Sequence, residues 1–113
     1  MSIPSERVIN CIDTERDMYY RITQATVRPG MYDEAMTTME SLRESIGNIN
    51  GLITSTLIRI SETEVVGIAA YESKEHLDLS QTEFAELMSN MAPYMAAPPS
   101  ISYGEQVLSF KGE

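Results

Sequence analysis

The sequence predicts an α+β domain of the ferredoxin-like type, with an antiparallel sheet. Two observations lead to this fold class. β-forming side chains fill four short segments, and apolar residues recur at spacings of three and four in two longer ones. In chain order the six segments are 19–28, 31–46, 52–60, 65–71, 73–95 and 101–110. The order β-α-β-β-α-β is the split β-α-β plan, which leaves one face of the sheet to be covered by a partner.

The first strand and first helix are the clearest elements. Tyr19 to Val27 carries Tyr, Ile, Thr and Val, and Pro29-Gly30 ends this strand because proline cannot donate to a ladder. An apolar stripe then runs from Met31 to Ile46, which predicts one helix, and Gly47 is a natural stop.

A hairpin is predicted in the middle of the chain. Ser61 to Glu64 is a short polar turn between the strands 52–60 and 65–71. The later strand is almost continuously apolar, which predicts the centre of the sheet, and Gly67 within it suggests a bulge or a close backbone approach.

The second helical segment is predicted in two pieces. Ser73 is a good N-cap, and the periodicity breaks near 79–81, so the pieces are 74–79 and 82–94. Pro93 predicts an early end near Ala92. The last strand is predicted to run over 101–110.

Length and composition limit the function classes. The chain has 113 residues, which we interpret as an N-terminal extension (1–17) and one domain (18–113). Its net charge of −9 and its scattered Lys and Arg residues disfavour nucleic acid and anionic membrane surfaces as partners. Cys11 is the only cysteine, so an internal disulfide is excluded, while a link between two chains stays open. These features favour a cytoplasmic protein.

Two residues are candidate catalytic groups. His76 is the only histidine and is therefore the obvious general base near neutral pH, although it is equally a solvent-facing residue of a first helical turn. Tyr71 ends the central strand, where its hydroxyl could bind a phenolic substrate or simply reach water from the core.

Three residues are candidate substrate-binding groups. Met88 and Met91 belong to a methionine stripe that forms either plain core or a soft pocket wall, and Tyr94 could gate such a pocket. Arg59, on a strand, could pair with a carboxylate across a dimer or hold an anionic ligand.

Metal-ligand spacing, a nucleophile elbow and a glycine-rich phosphate loop are all missing from the sequence, so neither a metal nor another cofactor is predicted.

The chain resembles the antibiotic-biosynthesis-monooxygenase-like (ABM) family of dimeric α/β barrels over about residues 18–110. The residues that carry the resemblance are Val27-Arg28-Pro29-Gly30, Tyr71-Glu72-Ser73-Lys74-Glu75 and Glu83-Phe84. Where this chain has Tyr71, relatives usually have Trp. The resemblance implies a homodimer whose sheets pack face to face, with a pocket in each subunit between sheet and helices.

The resemblance also implies an activity. Some relatives oxygenate electron-rich phenols, quinols or anthrones with dioxygen alone; the pocket helps to deprotonate the substrate, and the carbanion itself reduces oxygen. Other relatives degrade haem with an Asn, a Trp and a His. Here the corresponding positions hold Thr23, Asp78 and Met88, which disfavours haem chemistry.

Two hypotheses for function follow. The first is a cofactor-independent monooxygenase with a small aromatic or quinol-type substrate. In it Tyr71 and His76 handle substrate protons, while Met88, Met91 and Tyr94 shape the pocket. The alternative is a non-catalytic dimeric module that binds a small ligand or serves as a scaffold, because the sequence shows no paired acid–base motif.

Overall fold

Four antiparallel strands form one sheet in the part of the chain that the computed structural model describes, residues 18–110 and 112. The strands are β1 (Tyr19–Thr26), β2 (Leu52–Arg59), β3 (Glu64–Tyr71) and β4 (Ser100–Glu105). Their order across the sheet is β2-β3-β1-β4, so β3 is central, as predicted, and β1 is the other central strand. The ferredoxin-like α+β fold predicted from the sequence is confirmed. The predicted extension over 1–17, including Cys11, lies outside the described residues.

The helices lie in two groups, one after β1 and one after β3. They are α1 (Tyr32–Ser41), α2 (Arg43–Gly47), α3 (Lys74–Leu79) and α4 (Gln81–Met91), and a 3₁₀ turn (Ala92–Tyr94) follows α4. Both the break after Leu79 and the helix end before Pro93 agree with the prediction. The Ser73 hydroxyl accepts a hydrogen bond from the His76 N–H at 3.2 Å, which confirms the predicted N-cap.

The prediction of a single helix over 31–46 is wrong in one respect, because the helix is broken at Leu42. The Ser41 hydroxyl donates to the Thr38 carbonyl at 2.6 Å, the oxygen that the Leu42 N–H would use in a continuous helix. The Leu42 N–H bonds to the Met39 carbonyl instead, at 3.0 Å, and a second short helix starts at Arg43.

The last strand is shorter than the predicted 101–110. Glu105 pairs with Tyr19, the first residue of β1, and the Gln106 N–H donates to the Met18 carbonyl at 2.9 Å. Within the described residues the ladder between β1 and β4 ends at this pair, and 107–110 belong to no strand. Hydrophobic alternation alone does not make this tail a strand.

Arg59 makes contacts within its own chain. Its guanidinium lies 3.6 Å from the centroid of the Tyr32 ring, and it donates to the carbonyls of Ser61 and Glu62 at 3.1 and 3.3 Å. It therefore fastens the β2–β3 turn to the start of α1.

Strand alternation gives the sheet two different faces. Arg21, Thr23 and Ala25 point toward the helices, where Val27, Ala35, Val65 and Met91 form the buried core. The register places Ile22 and Ile68 side by side on the opposite face. None of the described helices covers that face, and Ile22 and Ile58 are 38% and 41% exposed.

Two glycines with positive φ provide a matched stability test. Gly30 and Gly51 have φ of 81° and 83°; a β-carbon on Gly51 would overlap the His76 ring, whereas one on Gly30 would meet nothing within 4 Å. We expect Gly30→Ala to cost about 1–2 kcal/mol of unfolding free energy through backbone strain alone. Gly51→Ala should cost about 1–3 kcal/mol more, through the overlap. Urea unfolding checks this, and Gly51→Ala in a His76→Ala background should fall back to the Gly30→Ala value. Equal losses for both single variants would show that the ring does not hold this loop.

Candidate functional site

A cavity of about 110 Å³ lies between the sheet and the helices. Its floor is formed by β1, β2 and β3, and its roof by α1, α2 and α4. Most of the residues around it are apolar, and the polar exceptions include Arg21, Thr23 and Tyr71. An apolar hollow with a few convergent polar groups is the usual form of a small-molecule site.

Small side chains on the floor leave the space open. Ala25, Gly67 and Ala69 occupy helix-facing positions of β1 and β3, so the central strands carry little bulk there. The Gly67 position is also close to its neighbour, because a β-carbon there would lie 3.2 Å from a Leu57 methyl group. The close backbone approach predicted at Gly67 is therefore present. The alternative, a bulge, is absent, because the register is regular at this position.

Flexible side chains form much of the roof. Met36 and Met39 come from α1, and Leu87, Met88 and Met91 come from α4. Unbranched methionines can change rotamer at low cost, so this roof can adapt to ligands of different shape.

The polar end of the cavity is built around Arg21, which is only 2% exposed. Its guanidinium donates to the hydroxyl of Tyr71 at 2.8 Å and, through the other terminal nitrogen, to the Ser80 hydroxyl at 3.1 Å and the Gln81 side-chain oxygen at 3.2 Å. The Phe84 ring stacks on it, with the guanidinium carbon 4.0 Å from the ring centroid. All of these partners are neutral.

One donor of this buried cation is unpaired. The Arg21 Nε is buried and has no hydrogen-bond partner within residues 18–110 and 112. A buried donor without a partner costs about 1–3 kcal/mol. The ion pairs found in the same part of the chain, Arg43–Glu40 and Lys74–Asp78, are both on exposed helix surfaces.

These exposed pairs shift the pKa values of their own members. The hydrogen bond from Arg43 lowers the pKa of Glu40, and it raises the pKa of Arg43 in turn. The hydrogen bond to Asp78 likewise raises the pKa of Lys74. Both pairs are exposed, so they supply no counter-charge to the cavity.

Tyr71 is the most deeply placed of the predicted site residues, at 2% exposure. Its oxygen accepts from Arg21, and its own hydroxyl proton has no acceptor among the hydrogen bonds of the described residues. A positively charged donor on the oxygen makes the O–H of a phenol a stronger donor. Tyr71 can therefore donate toward a ligand in the cavity.

Tyr94 lies at the other end of the same cavity. Its hydroxyl accepts a hydrogen bond from the Thr38 hydroxyl at 2.8 Å, which ties the 3₁₀ turn to α1. Met88 and Met91 lie between these two ends. The structure thus brings Tyr71, Met88, Met91 and Tyr94 together around one hollow.

His76 is placed apart from these four residues. Its Nδ1 is 2.8 Å from the Ser73 hydroxyl, its ring packs on Gly51, and it is not among the residues that line the cavity. Its catalytic role stays a prediction.

A second hollow of about 140 Å³ adjoins the first, because Ile46, Ile49 and Leu87 line both. Glu83 and Glu86 stand at its rim and are exposed. Anything that approaches the cavity from this side passes two carboxylates.

Sequence reasoning missed Arg21. The signal was available, since a lone charged residue shares its strand face with Thr23, Ala25 and Val27, a pattern that otherwise predicts a buried surface.

Within the described residues, no three His, Cys, Asp or Glu side chains form a group that could hold a metal ion. None of the described helices is long and apolar enough to cross a membrane.

Comparison with known structures confirms the ABM-like fold. A Streptomyces coelicolor monooxygenase, ActVA-Orf6, determined with the ligand nanaomycin D, superposes with a TM-score of 0.72 and 17% identity, over 90% of this chain and 98% of that one. SnoaB, a cofactor-independent oxygenase from Streptomyces nogalater, gives 0.63 and 16%, over 84% and 96%. A Caulobacter crescentus protein described as a candidate antibiotic biosynthesis monooxygenase gives 0.70 and 21%, over 90% and 99%.

This chain therefore has the ABM-like fold. Proteins of unknown function share the same fold, so the similarity by itself assigns no reaction. No family model and no curated protein matches the sequence.

The Thr38–Tyr94 hydrogen bond gives a test of how the cavity is closed. We expect Thr38→Val and Tyr94→Phe to be coupled by about 1 kcal/mol, because either change alone removes the same bond. A double-mutant cycle by urea unfolding measures the coupling. A coupling energy near zero would show that Tyr94 is held only by the packing of its ring.

Proposed function

We propose that this protein is a cofactor-independent monooxygenase that acts on a small aromatic or quinol-type substrate in the cavity between sheet and helices. The observation that carries the proposal is the buried Tyr71 hydroxyl, polarised by Arg21, at the end of an apolar cavity. The similarity to SnoaB and ActVA-Orf6 supports it, since the first is named as a cofactor-independent oxygenase and the second holds nanaomycin D.

The chemistry needs no external reductant. An activated CH₂ group of the substrate, as in an anthrone or the keto tautomer of a quinol, loses a proton to solvent, and the resulting carbanion reduces dioxygen to a bound peroxide anion. Tyr71 protonates the peroxide. The remaining C–H proton and hydroxide then leave as water, and the carbon becomes a carbonyl. One oxygen atom enters the product, the other becomes water, and Tyr71 regains a proton from solvent.

The cavity supplies what this sequence of steps requires. Its apolar walls favour a neutral aromatic ring, and the Arg21–Tyr71 pair stabilises negative charge where it develops on the substrate. Met88 and Met91 pack against the rings, and Tyr94 closes the far end. His76 remains a second candidate for proton transfer, and His76→Asn belongs in the same assay.

Oxygen uptake measures the proposed activity directly. We expect metal-stripped protein to consume oxygen with reduced naphthoquinols or anthrones above the autoxidation rate, and Tyr71→Phe to lower kcat by about 100-fold, the lower end for loss of an acid–base group. An oxygen electrode measures both. Tyr19→Phe is the matched control, because Tyr19 is paired with Tyr71 in the sheet but does not line the cavity, so it should keep full activity. Absence of uptake across the panel would favour the non-catalytic binding module.

The uncovered face of the sheet gives a prediction about assembly. We propose a homodimer in which two sheets pack through the face that holds Ile22, Ile58 and Ile68, since this apolar face has no described helix over it. Ile22→Asp should convert the dimer to a monomer in light scattering at micromolar concentration, because it places a charge in the interface. Leu79→Asp, at an exposed position outside this face, should leave the dimer intact. A monomeric wild-type protein would refute the dimer.

A further inference from the structure

Arg21 carries a full positive charge at the end of an apolar cavity, and its partners in the described chain are all neutral. We propose that Arg21 is an anion-binding residue: with the Tyr71 hydroxyl it holds the ionised oxygen of a planar aromatic ligand, a phenolate. This inference rests on the proposed function, because it concerns the same cavity, but it assigns a residue and a charge state that can be tested without turnover.

The charge of Arg21 has no counter-charge among the described residues. Buried charges in proteins are normally paired with opposite charges or bound ions. The described groups that face the Arg21 guanidinium are the phenols of Tyr71 on β3 and Tyr103 on β4, the neutral side chains of Ser80 and Gln81, and the ring of Phe84 on α4. An anionic ligand would supply the negative charge that these groups lack.

The donor that can reach a ligand is the Tyr71 hydroxyl. Its oxygen accepts from Arg21, and its O–H has no acceptor among the described hydrogen bonds. The two residues lie on adjacent strands, diagonally across the register, and both line the cavity. The Arg21 Nε–H also lacks a partner within the described residues, but it lies on the other side of the guanidinium from the nitrogen that holds Tyr71. Tyr71 therefore supplies the hydrogen bond to an oxyanion, and Arg21 supplies the positive charge behind it.

The walls of the cavity limit the shape of the ligand. The guanidinium lies against the Phe84 ring, and apolar side chains form the rest of the wall, so a ligand with its oxygen at Arg21 has its carbon skeleton in apolar surroundings. An apolar cavity of about 150 Å³ is known to take benzene. The volume of about 110 Å³ therefore admits at most one aromatic ring, and even this requires a small movement of the methionine roof.

The acidic surroundings of the cavity favour a phenol over a carboxylate. Glu83 and Glu86 stand at the adjoining rim, and the chain has a net charge of −9, so an anion is repelled as it approaches. A neutral phenol is not repelled. Inside, its O–H bond breaks heterolytically, the proton passes to solvent buffer, and the phenolate oxygen stays at Arg21.

The test is the pKa of a bound phenol. 4-Nitrophenol is suitable, since its phenolate absorbs visible light and its neutral form does not. A pH titration of the absorbance with excess wild-type protein should give a pKa lower than that of the free phenol by about 1 unit, the lower end for an adjacent opposite charge. Benzoate, which has to enter as an anion, should associate more slowly than 4-nitrophenol in stopped-flow displacement.

Variants separate the effect of the Arg21 charge on the ligand pKa from the effect of burial. Arg21→Met should abolish the downward shift, because only desolvation then remains, and Arg21→Lys should restore part of it. Arg43→Met, the same exchange at an exposed helix position outside the cavity, should titrate like the wild type. If Arg21→Met does not fold, the wild-type and Arg21→Lys titrations decide the question.

Three results would overturn the proposal: a wild-type pKa equal to or above that of the free phenol, an unchanged shift in Arg21→Met, or no binding of 4-nitrophenol at millimolar concentration. Faster association of benzoate than of 4-nitrophenol would overturn the assignment to a phenol. Because the titration runs without oxygen, the two proposals fail separately. A lowered pKa without oxygen uptake removes the monooxygenase alone, and oxygen uptake without a pKa shift removes the role of Arg21 alone.

Discussion

The contacts of the Arg21 guanidinium join the two central strands of the sheet to the helices that follow β3. From β1 it reaches Tyr71 at the end of β3 and Ser80 and Gln81 at the junction of α3 and α4, and it stacks on Phe84 within α4. Hydrogen bonds to charged groups contribute about 1.5–3 kcal/mol each, more than neutral ones. The position of α4, and with it the roof of the cavity, therefore depends on a charge on the floor.

The same guanidinium explains why the site is polar at one end only. Its neutral partners spread the charge without cancelling it, and the apolar walls weaken screening by solvent. Negative charge that develops on a ligand is thus stabilised near Tyr71 and at no other described point of the cavity. The acidic exterior has the opposite effect on an approaching anion, so interior and exterior favour different protonation states of one ligand.

Strand alternation assigns the two faces of the sheet to different tasks. Small residues such as Ala25, Gly67 and Ala69 face the helices and leave a hollow, while branched residues such as Ile22 and Ile58 face away from them. A one-residue shift in register would exchange these sets, placing the arginine on the uncovered face and the isoleucines in the hollow. The ladder between β1 and β3 therefore determines both where a ligand fits and which surface is left for a second copy.

The sequence by itself determined the fold class, the order of the elements, the cap at Ser73 and the helix end before Pro93, because these depend on local periodicity and on the chemistry of single residues. It also placed Tyr71, Met88, Met91 and Tyr94 among the candidate site residues. Three features were decided only by the tertiary structure. The last strand ends at Glu105, where its described ladder with β1 ends, and His76 lies off the cavity because its ring packs on Gly51. Arg21 is buried because distant segments supply its hydrogen-bond partners, and no local pattern can show which segments, far apart in sequence, meet around one side chain.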